Sequence, residues 1–265
     1  MPSKPMNVQS EFADIMQRYQ DEEVAQWHKF LILGDYGTGK TYLTQTAPKP
    51  VLIHSFDPGG STTLRDVVAT PENDTGIYVV SFESDDPRNP TAYKEWEKTM
   101  DQWTKNNWFD SINTFVIDSF SLWSLAMINQ LNKQLGRSGG IPALQDYQII
   151  RNNIRDWILR ISGLPCHFIM TGHLTLEKDE TSGHAETAID TFKSLRSILP
   201  KLFDEIYVTQ VTPSSKGPGY KLRTASSGYY KARSRLASNG AIEPLEDPDI
   251  SAIIEKAKKG GQPSE

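Results

Sequence analysis

Apolar residues along this chain gather into short continuous blocks, with helical stripes between several of them. The blocks stand at 29–33, 51–56, 77–82, 114–118, 166–171 and 206–211. Runs of this length, rich in Val, Ile and Phe, predict strands buried on both faces. Phe120, Trp123, Leu125, Ile128, Leu131 and Leu135 predict a helix over 120–135. Ile150, Ile154, Trp157, Ile158 and Ile161 make a clearer stripe over 147–161. The aromatic residues in these stripes read as core packing. Near the start, Phe12, Ile15, Met16 and Tyr19 follow helical spacing. They predict an amphipathic helix within 9–26, packed on the core or on a neighbouring subunit. Residues 1–8 read as disordered and 259–265 as a tail. Alternating strands and helices predict an α/β fold, a mostly parallel sheet flanked by helices. After residue 206 the strand-like segments 206–211, 219–224 and 228–232 are separated by short Pro/Gly/Ser turns. That pattern predicts a C-terminal antiparallel hairpin or meander. No internal repeat and no second domain is visible.

Composition narrows the class. Charged residues make up 23% and hydrophobic ones 37% of the 265 residues, the balance of an ordinary soluble domain. No apolar run approaches the ~20 residues of a membrane helix. The N-terminus carries no apolar signal core. The single cysteine, Cys166, excludes an internal disulfide and reads as a buried, inert thiol in a strand. These features predict a cytoplasmic protein. The net charge of −5 argues against wholesale coating of nucleic acid. Yet between Ile206 and Ile242 basic residues accumulate, Lys216, Lys221, Arg223, Lys231, Arg233 and Arg235, against no acidic ones. One part of the fold is therefore expected to be positive.

The chemistry begins after the first strand. Gly34-Asp35-Tyr36-Gly37-Thr38-Gly39-Lys40-Thr41 is an uninterrupted G-x-x-x-x-G-K-[ST] phosphate loop, with a short helix expected over Thr41–Thr46. Its glycines let backbone N–H groups point at phosphate oxygens, and the helix start adds partial positive charge. Lys40 would reach the β- and γ-phosphates of ATP, and Thr41 would offer a hydroxyl to Mg²⁺; Tyr42 follows directly. Thr114-Phe115-Val116-Ile117-Asp118 supplies the second half of such a site, an acidic residue ending an apolar strand. Asp118 would hold Mg²⁺ opposite Thr41. Its plainer role is to cap the next helix.

Hydrolysis also needs a group that orients or deprotonates water. Asp57, in Ser55-Phe56-Asp57-Pro58-Gly59-Gly60 at the end of the second strand, is the first candidate, because neighbouring strand ends face one crevice. A turn-forming Asp before Pro is the alternative. Glu83 is a weaker candidate. In Phe168-Ile169-Met170-Thr171-Gly172-His173, His173 or Thr171 could sense the γ-phosphate, although a lone His is more often structural.

The order of these elements resembles the RecA-like P-loop ATPase core. More narrowly, Phe56-Asp57-Pro58-Gly59-Gly60 and Tyr230-Lys231-Ala232-Arg233 are similar to features of the phage nucleotide-binding proteins of the Sak single-strand annealing group, related to archaeal RadB. The resemblance covers about residues 28–236, between an N-terminal tail and helix (1–27) and a C-terminal helix and tail (237–265). It implies an ATP-binding and ATP-hydrolysing protein that forms rings or filaments on single-stranded DNA. It further implies annealing or homologous recombination, a homo-oligomer with ATP between subunits, and a single-strand-binding protein as a further partner. Two loops would face DNA. One is Gly136–Ile141, where Arg137 could meet a phosphate; the other is 174–189, with Lys178, Thr181, Ser182, Gly183 and His184. Lys231 and Arg233 would reach a neighbour's ATP as trans-acting charges. Together with Arg235 they share a face if that segment is a strand, and a DNA-facing basic edge is the alternative. The chain departs from the pattern where Glu177, Asp179, Glu180 and Glu186 oppose Lys178 in the second loop. Asp57 is also shorter than Glu, which implies slow or partner-dependent hydrolysis. Two other classes fit the same loop: a nucleotide-dependent assembly switch that ignores DNA, and a DNA motor subunit. Tyr229 and Tyr230 serve either base stacking or the core.

Overall fold

The computed structural model describes residues 8–24, 27–178, 185–213 and 217–260. The strands are β1 (Lys29–Leu33), β2 (Val51–Ser55), β3 (Ile77–Ser81), β4 (Thr114–Asp118), β5 (His167–Gly172), β6 (Leu174–Lys178), β7 (Ala185–Ile189), β8 (Glu205–Thr212), β9 (Gly219–Arg223) and β10 (Leu245–Glu246). The helices are α1 (Val8–Val24), α2 (Lys40–Thr44), α3 (Gly60–Thr63), α4 (Ala92–Lys105), α5 (Phe120–Gln134), α6 (Asp146–Ser162), α7 (Lys193–Arg196) and α8 (Ile250–Gly260). Eight strands form one sheet in the order β10-β9-β8-β1-β5-β4-β2-β3. From β8 to β3 every pairing is parallel, while β9 and β10 close the other edge antiparallel. This is an α/β fold, a mostly parallel sheet flanked by helices, with a C-terminal antiparallel pair. Among the described residues, no helix is long and apolar enough to cross a membrane.

The sheet separates two apolar layers, because successive strand residues point to opposite faces. On one face Leu31, Leu52, Phe115, Ile117, Phe168 and Met170 pack against α4, α5 and α6 through Trp96, Trp123, Ile150, Ile154 and Trp157. On the other, Phe30, Ile32, Val51, Ile53, Val116 and Ile169 meet Leu43 of α2 and Ile250, Ile253 and Ile254 of α8. Burial on both faces is why the central strands read as unbroken apolar runs. Strand order matters most for function. The strand carrying Asp118 is not beside the strand that feeds the phosphate loop; β5 lies between them. The pairing of Ile117 with Met170 brings the ends of β4 and β5 level, so that Thr171 stands beside Asp118.

Several expectations change. Segment 228–232 is not a strand. It is irregular backbone that touches the sheet through an isolated bridge between Arg233 and Ile206, and β10 takes the place beside β9. The segment opens with Ser227 and Gly228, and its amides turn to local partners: Tyr230 N–H donates to Ser227 Oγ and Ala232 N–H to Ser226 Oγ. The second loop is largely an antiparallel ribbon of β6 and β7, with Glu177 opposite Glu186. Its tip, 179–184, with Asp179, Glu180, Thr181, Ser182, Gly183 and His184, lies outside the described residues, as do residues 1–7, Lys216 and the last five residues. The acidic stretch around Glu95 and Glu97 is one face of α4, whose other face buries Tyr93, Trp96 and Met100. That i, i+3, i+7 spacing was available in the sequence.

Candidate functional site

The loop between β1 and α2 is shaped by close approaches. A Cβ on Gly34 would lie 2.0 Å from Thr209 Oγ1, so β8 can lie against the loop only because this residue is glycine. Gly39 has φ +86°, a left-handed conformation that glycine adopts freely. Thr38 Oγ1 donates to the Asp35 carbonyl and lies 2.7 Å from Thr209 Oγ1. Lys40 is buried and folds back on the loop, its Nζ donating to the carbonyls of Gly34 (2.9 Å) and Asp35 (2.8 Å). Burial lowers its pKa, and the charges of Asp118, Asp57 and Asp35 oppose that shift.

Two carboxylates face this loop. Asp118 is 1% exposed. Its Oδ2 accepts the Thr41 hydroxyl at 2.7 Å, and its Oδ1 accepts the Thr171 hydroxyl. Burial pushes its pKa above the usual carboxylate value, against the pull of those two hydroxyls. Asp57 stands at the end of β2. Ser119 Oγ donates to its Oδ1, and His173 Nε2 is 3.7 Å from its Oδ2, a charge contact longer than a hydrogen bond. Burial raises the Asp57 pKa, but the His173 ring and the Ser119 hydroxyl outweigh it, and the net shift is downward. Asp57 is thus the carboxylate held ionised and Asp118 the one penalised by burial.

The phosphate loop, Asp57, His173, Thr209, Tyr220 and Pro248 line a cavity of about 640 Å³, within the range of small-molecule sites. A triphosphate fits this setting. The loop backbone forms a cradle, Lys40 supplies a charge, and the Thr41–Asp118 pair offers oxygen donors that could hold Mg²⁺. The hydroxyl of Ser119, in the position after Asp118, is given to Asp57.

Glu83 is placed differently from the expectation. Its Oε1 accepts Ser55 Oγ (2.7 Å) and Ser61 N–H (2.8 Å), and its Oε2 accepts Gly59 N–H (2.9 Å). Its carboxylate fastens the Asp57 loop.

Lys231 and Arg233 do not line this cavity. Lys231 is ion-paired with Glu186 of β7, and Arg233 donates to the carbonyls of Phe203 (2.6 Å) and Pro200 (3.1 Å). Arg235 pairs with Asp204 at 2.8 Å. The three do not project together, because no strand runs through them. Arg137 is likewise committed, to the buried carboxylate of Asp146, and not held out for a phosphate. Tyr229 is exposed, while Tyr230 packs at the edge of the core.

Thr209, Tyr220 and Pro248 were not anticipated. They come from β8, β9 and the turn after β10, far along the chain, and no local motif marks them.

Comparisons with known proteins follow this geometry. A search of curated proteins finds no match. Among solved structures, a KaiC-like protein from the hyperthermophilic archaeon Pyrococcus horikoshii is 14% identical, with a TM-score of 0.42 over 74% of this chain and 77% of that one. The flagellar accessory protein FlaH from Methanocaldococcus jannaschii is 12% identical, with a TM-score of 0.47 over 82% and 83% of the two chains. The AAA domain model matches residues 27–236, well over half of the chain. The chain belongs to the AAA domain family.

Proposed function

We propose that the chain binds ATP with Mg²⁺ in the phosphate-loop cavity and hydrolyses it as a subunit of a homo-oligomer. The observation that carries this reading is the meeting of Thr41 and Asp118 at 2.7 Å beside the Lys40 loop, with Asp57 lining the same cavity. In this reading Thr41 and Asp118 hold the metal. Lys40 leaves the Gly34 and Asp35 carbonyls for phosphate oxygens. Mg²⁺, when bound, offsets negative charge developing on the phosphoryl oxygens. Asp57, kept ionised by Ser119 and His173, orients water and accepts its proton. His173 leads directly into β6 and is placed to report the γ-phosphate to the β6–β7 ribbon.

Two features support an oligomer. Phe12, Ile15 and Met16 on α1 are 58%, 58% and 61% exposed, an apolar stripe turned to water. Lys231 and Arg233 lie outside their own cavity, where a trans role on a neighbour's ATP would place them.

The Sak resemblance extends the proposal to single-stranded DNA, with annealing or recombination as the outcome and a single-strand-binding protein as a further partner. The β6–β7 ribbon is the candidate contact. One observation favours a second reading, a nucleotide-dependent assembly ATPase that ignores DNA. Lys221, Lys231, Arg233 and Arg235, which dominate the basic stretch, already have protein partners. ATPase turnover with and without single-stranded DNA separates the two, alongside a gel shift with single-stranded and duplex DNA in ATP and Mg²⁺. A stimulated rate and a shifted single strand support the DNA reading. An unchanged rate with no shift supports the assembly switch. No Mg²⁺-dependent turnover under either condition, with ATP unbound, sinks the shared proposal.

A further inference from the structure

We propose that a second cavity, among α4, α5 and α6, binds an alkylammonium ion, with the Gln130 amide oxygen accepting from its N–H groups and the Glu97 carboxylate offsetting its charge. This cavity shares no lining residue with the phosphate-loop cavity, and the proposal does not depend on the nucleotide reading.

Helical spacing builds the site, because residues three and four apart lie on one face of a helix. Tyr93 and Glu97 line it from α4, and Met127, Gln130 and Leu131 from α5. Asp156, Trp157 and Arg160 line it from α6. Two hydrogen bonds tie α6 to α4 there. Trp157 Nε1 donates to the Tyr93 hydroxyl at 2.8 Å, and that hydroxyl donates to Glu97 Oε1 at 3.3 Å. The carboxylate is thereby oriented from two helices. The cavity holds about 190 Å³, room for about six waters at about 30 Å³ each. That is fragment size, below the range of larger small-molecule sites.

Gln130 marks what the cavity lacks. The residue is 8% exposed, and its Oε1 is buried with no hydrogen-bond partner among the described residues. A buried acceptor left unpaired is costly, and a ligand that donates to it recovers that cost. Charge sets the sign of the ligand. Arg160 is already paired with Asp101 at 2.6 Å, and its guanidinium carbon lies 3.9 Å from the centre of the Trp157 ring. Asp156 is paired with Arg155 at 2.7 Å. Glu97 has the neutral Tyr93 hydroxyl and, among the described residues, no ion pair. One negative charge is therefore left without a counterpart at the cavity. Met127 and Trp157 are buried and Leu131 half-buried, so the lining also offers apolar surface. An ammonium head on a chain of four or five carbons meets all three demands: donors for Oε1, charge for Glu97 and an apolar stem. A free aliphatic amine and a lysine side chain of another protein both carry this group.

The test follows the Trp157 indole N–H resonance of the full chain, assigned with Trp157→Phe. The probes are n-pentylammonium, 1-pentanol, pentanoate and Nα-acetyl-lysine amide. n-Pentylammonium is expected to saturate with a Kd of about 1 mM or below. Pentanol is expected to bind at least about tenfold more weakly, and pentanoate not at all. Gln130→Leu removes the acceptor and keeps the bulk. It is expected to weaken n-pentylammonium by about tenfold or more, with a melting temperature unchanged or raised. Glu97→Gln still accepts the Tyr93 hydroxyl and is expected to weaken binding by about threefold. Lysine amide binding as well as n-pentylammonium supports a protein lysine as the source; n-pentylammonium binding alone supports a free amine. Equal responses to the ammonium, alcohol and carboxylate heads overturn the proposal, since the cavity would then take up only the alkyl chain. No saturable response to n-pentylammonium, or unchanged affinity in both variants, also overturns it.

Discussion

Asp57 and Asp118 share one cavity and have opposite electrostatic fates. Asp118 is buried, and the hydroxyls of Thr171 and Thr41 with the charge of Lys40 only partly offset its desolvation, so its charge costs free energy. Asp57 has a nearby imidazole and a hydroxyl donor that favour its ionised form. Two carboxylates in such different surroundings are suited to two roles, one at the metal and one, held ionised, as an acceptor that orients water. Asp57→Asn is therefore expected to lower turnover by about 10²–10⁴-fold while ATP still binds, as read by phosphate release beside nucleotide titration. Loss of ATP binding in that variant would instead make Asp57 a positioning residue for the loop. At Gly34 the issue is packing. A methyl group 2.0 Å from Thr209 Oγ1 and 2.6 Å from Thr38 Oγ1 must displace those two hydroxyls from their mutual contact. Gly34→Ala is expected to cost about 1–3 kcal/mol, seen as a drop in melting temperature of several degrees.

Elements of the sheet carry a pH dependence of their own. His54 in β2 is fully buried and accepts the Trp96 indole N–H on Nδ1 at 3.0 Å; burial pushes its pKa down to about 3. His167 in β5 accepts the His28 backbone N–H, and burial, with help from nearby His28 and Lys258, lowers its pKa to about 4. Both rings are neutral in the fold and take up protons near pH 6.5 once unfolded. Their contribution is fully present above that value and is lost as pH falls toward 4 and 3. Melting temperature is expected to fall steadily below about pH 6.5. His167→Asn, whose amide oxygen can still accept the His28 N–H, should show a shallower slope; an unchanged slope would remove His167 from the account. The same elements show what a sequence discloses. The strands that feed Gly34 and Asp118 are buried on both faces, so their apolar runs announce them, and the phosphate loop is contiguous. Formal charge alone does not disclose ion pairing. Arg137 and Lys231 read as free cations because nothing local names Asp146 or Glu186 as their neighbours. Thr209 and Tyr220 were invisible for a related reason. They act through the pairing of β8 with β1 and β9, which is a property of topology and not of spacing.

At the scale of the whole molecule, α1 and the margins of the sheet decide how the protein meets others. An amphipathic helix whose apolar stripe faces water gains free energy when covered, at about 25 cal/mol per Å². If the stripe lies between subunits, Phe12→Asp combined with Met16→Asp is expected to lower the sedimenting mass and to leave single-site nucleotide affinity unchanged. An unaltered mass would place the oligomer contact elsewhere. The β3 margin of the sheet holds a quieter feature. Glu83 follows the outermost strand, β3, and grips Ser55, Gly59 and Ser61 around the Asp57 loop. Asp57, the carboxylate proposed for hydrolysis, therefore stands on a loop tethered to the edge strand of the sheet. A shift of that edge is passed to the Asp57 loop through a single side chain, Glu83.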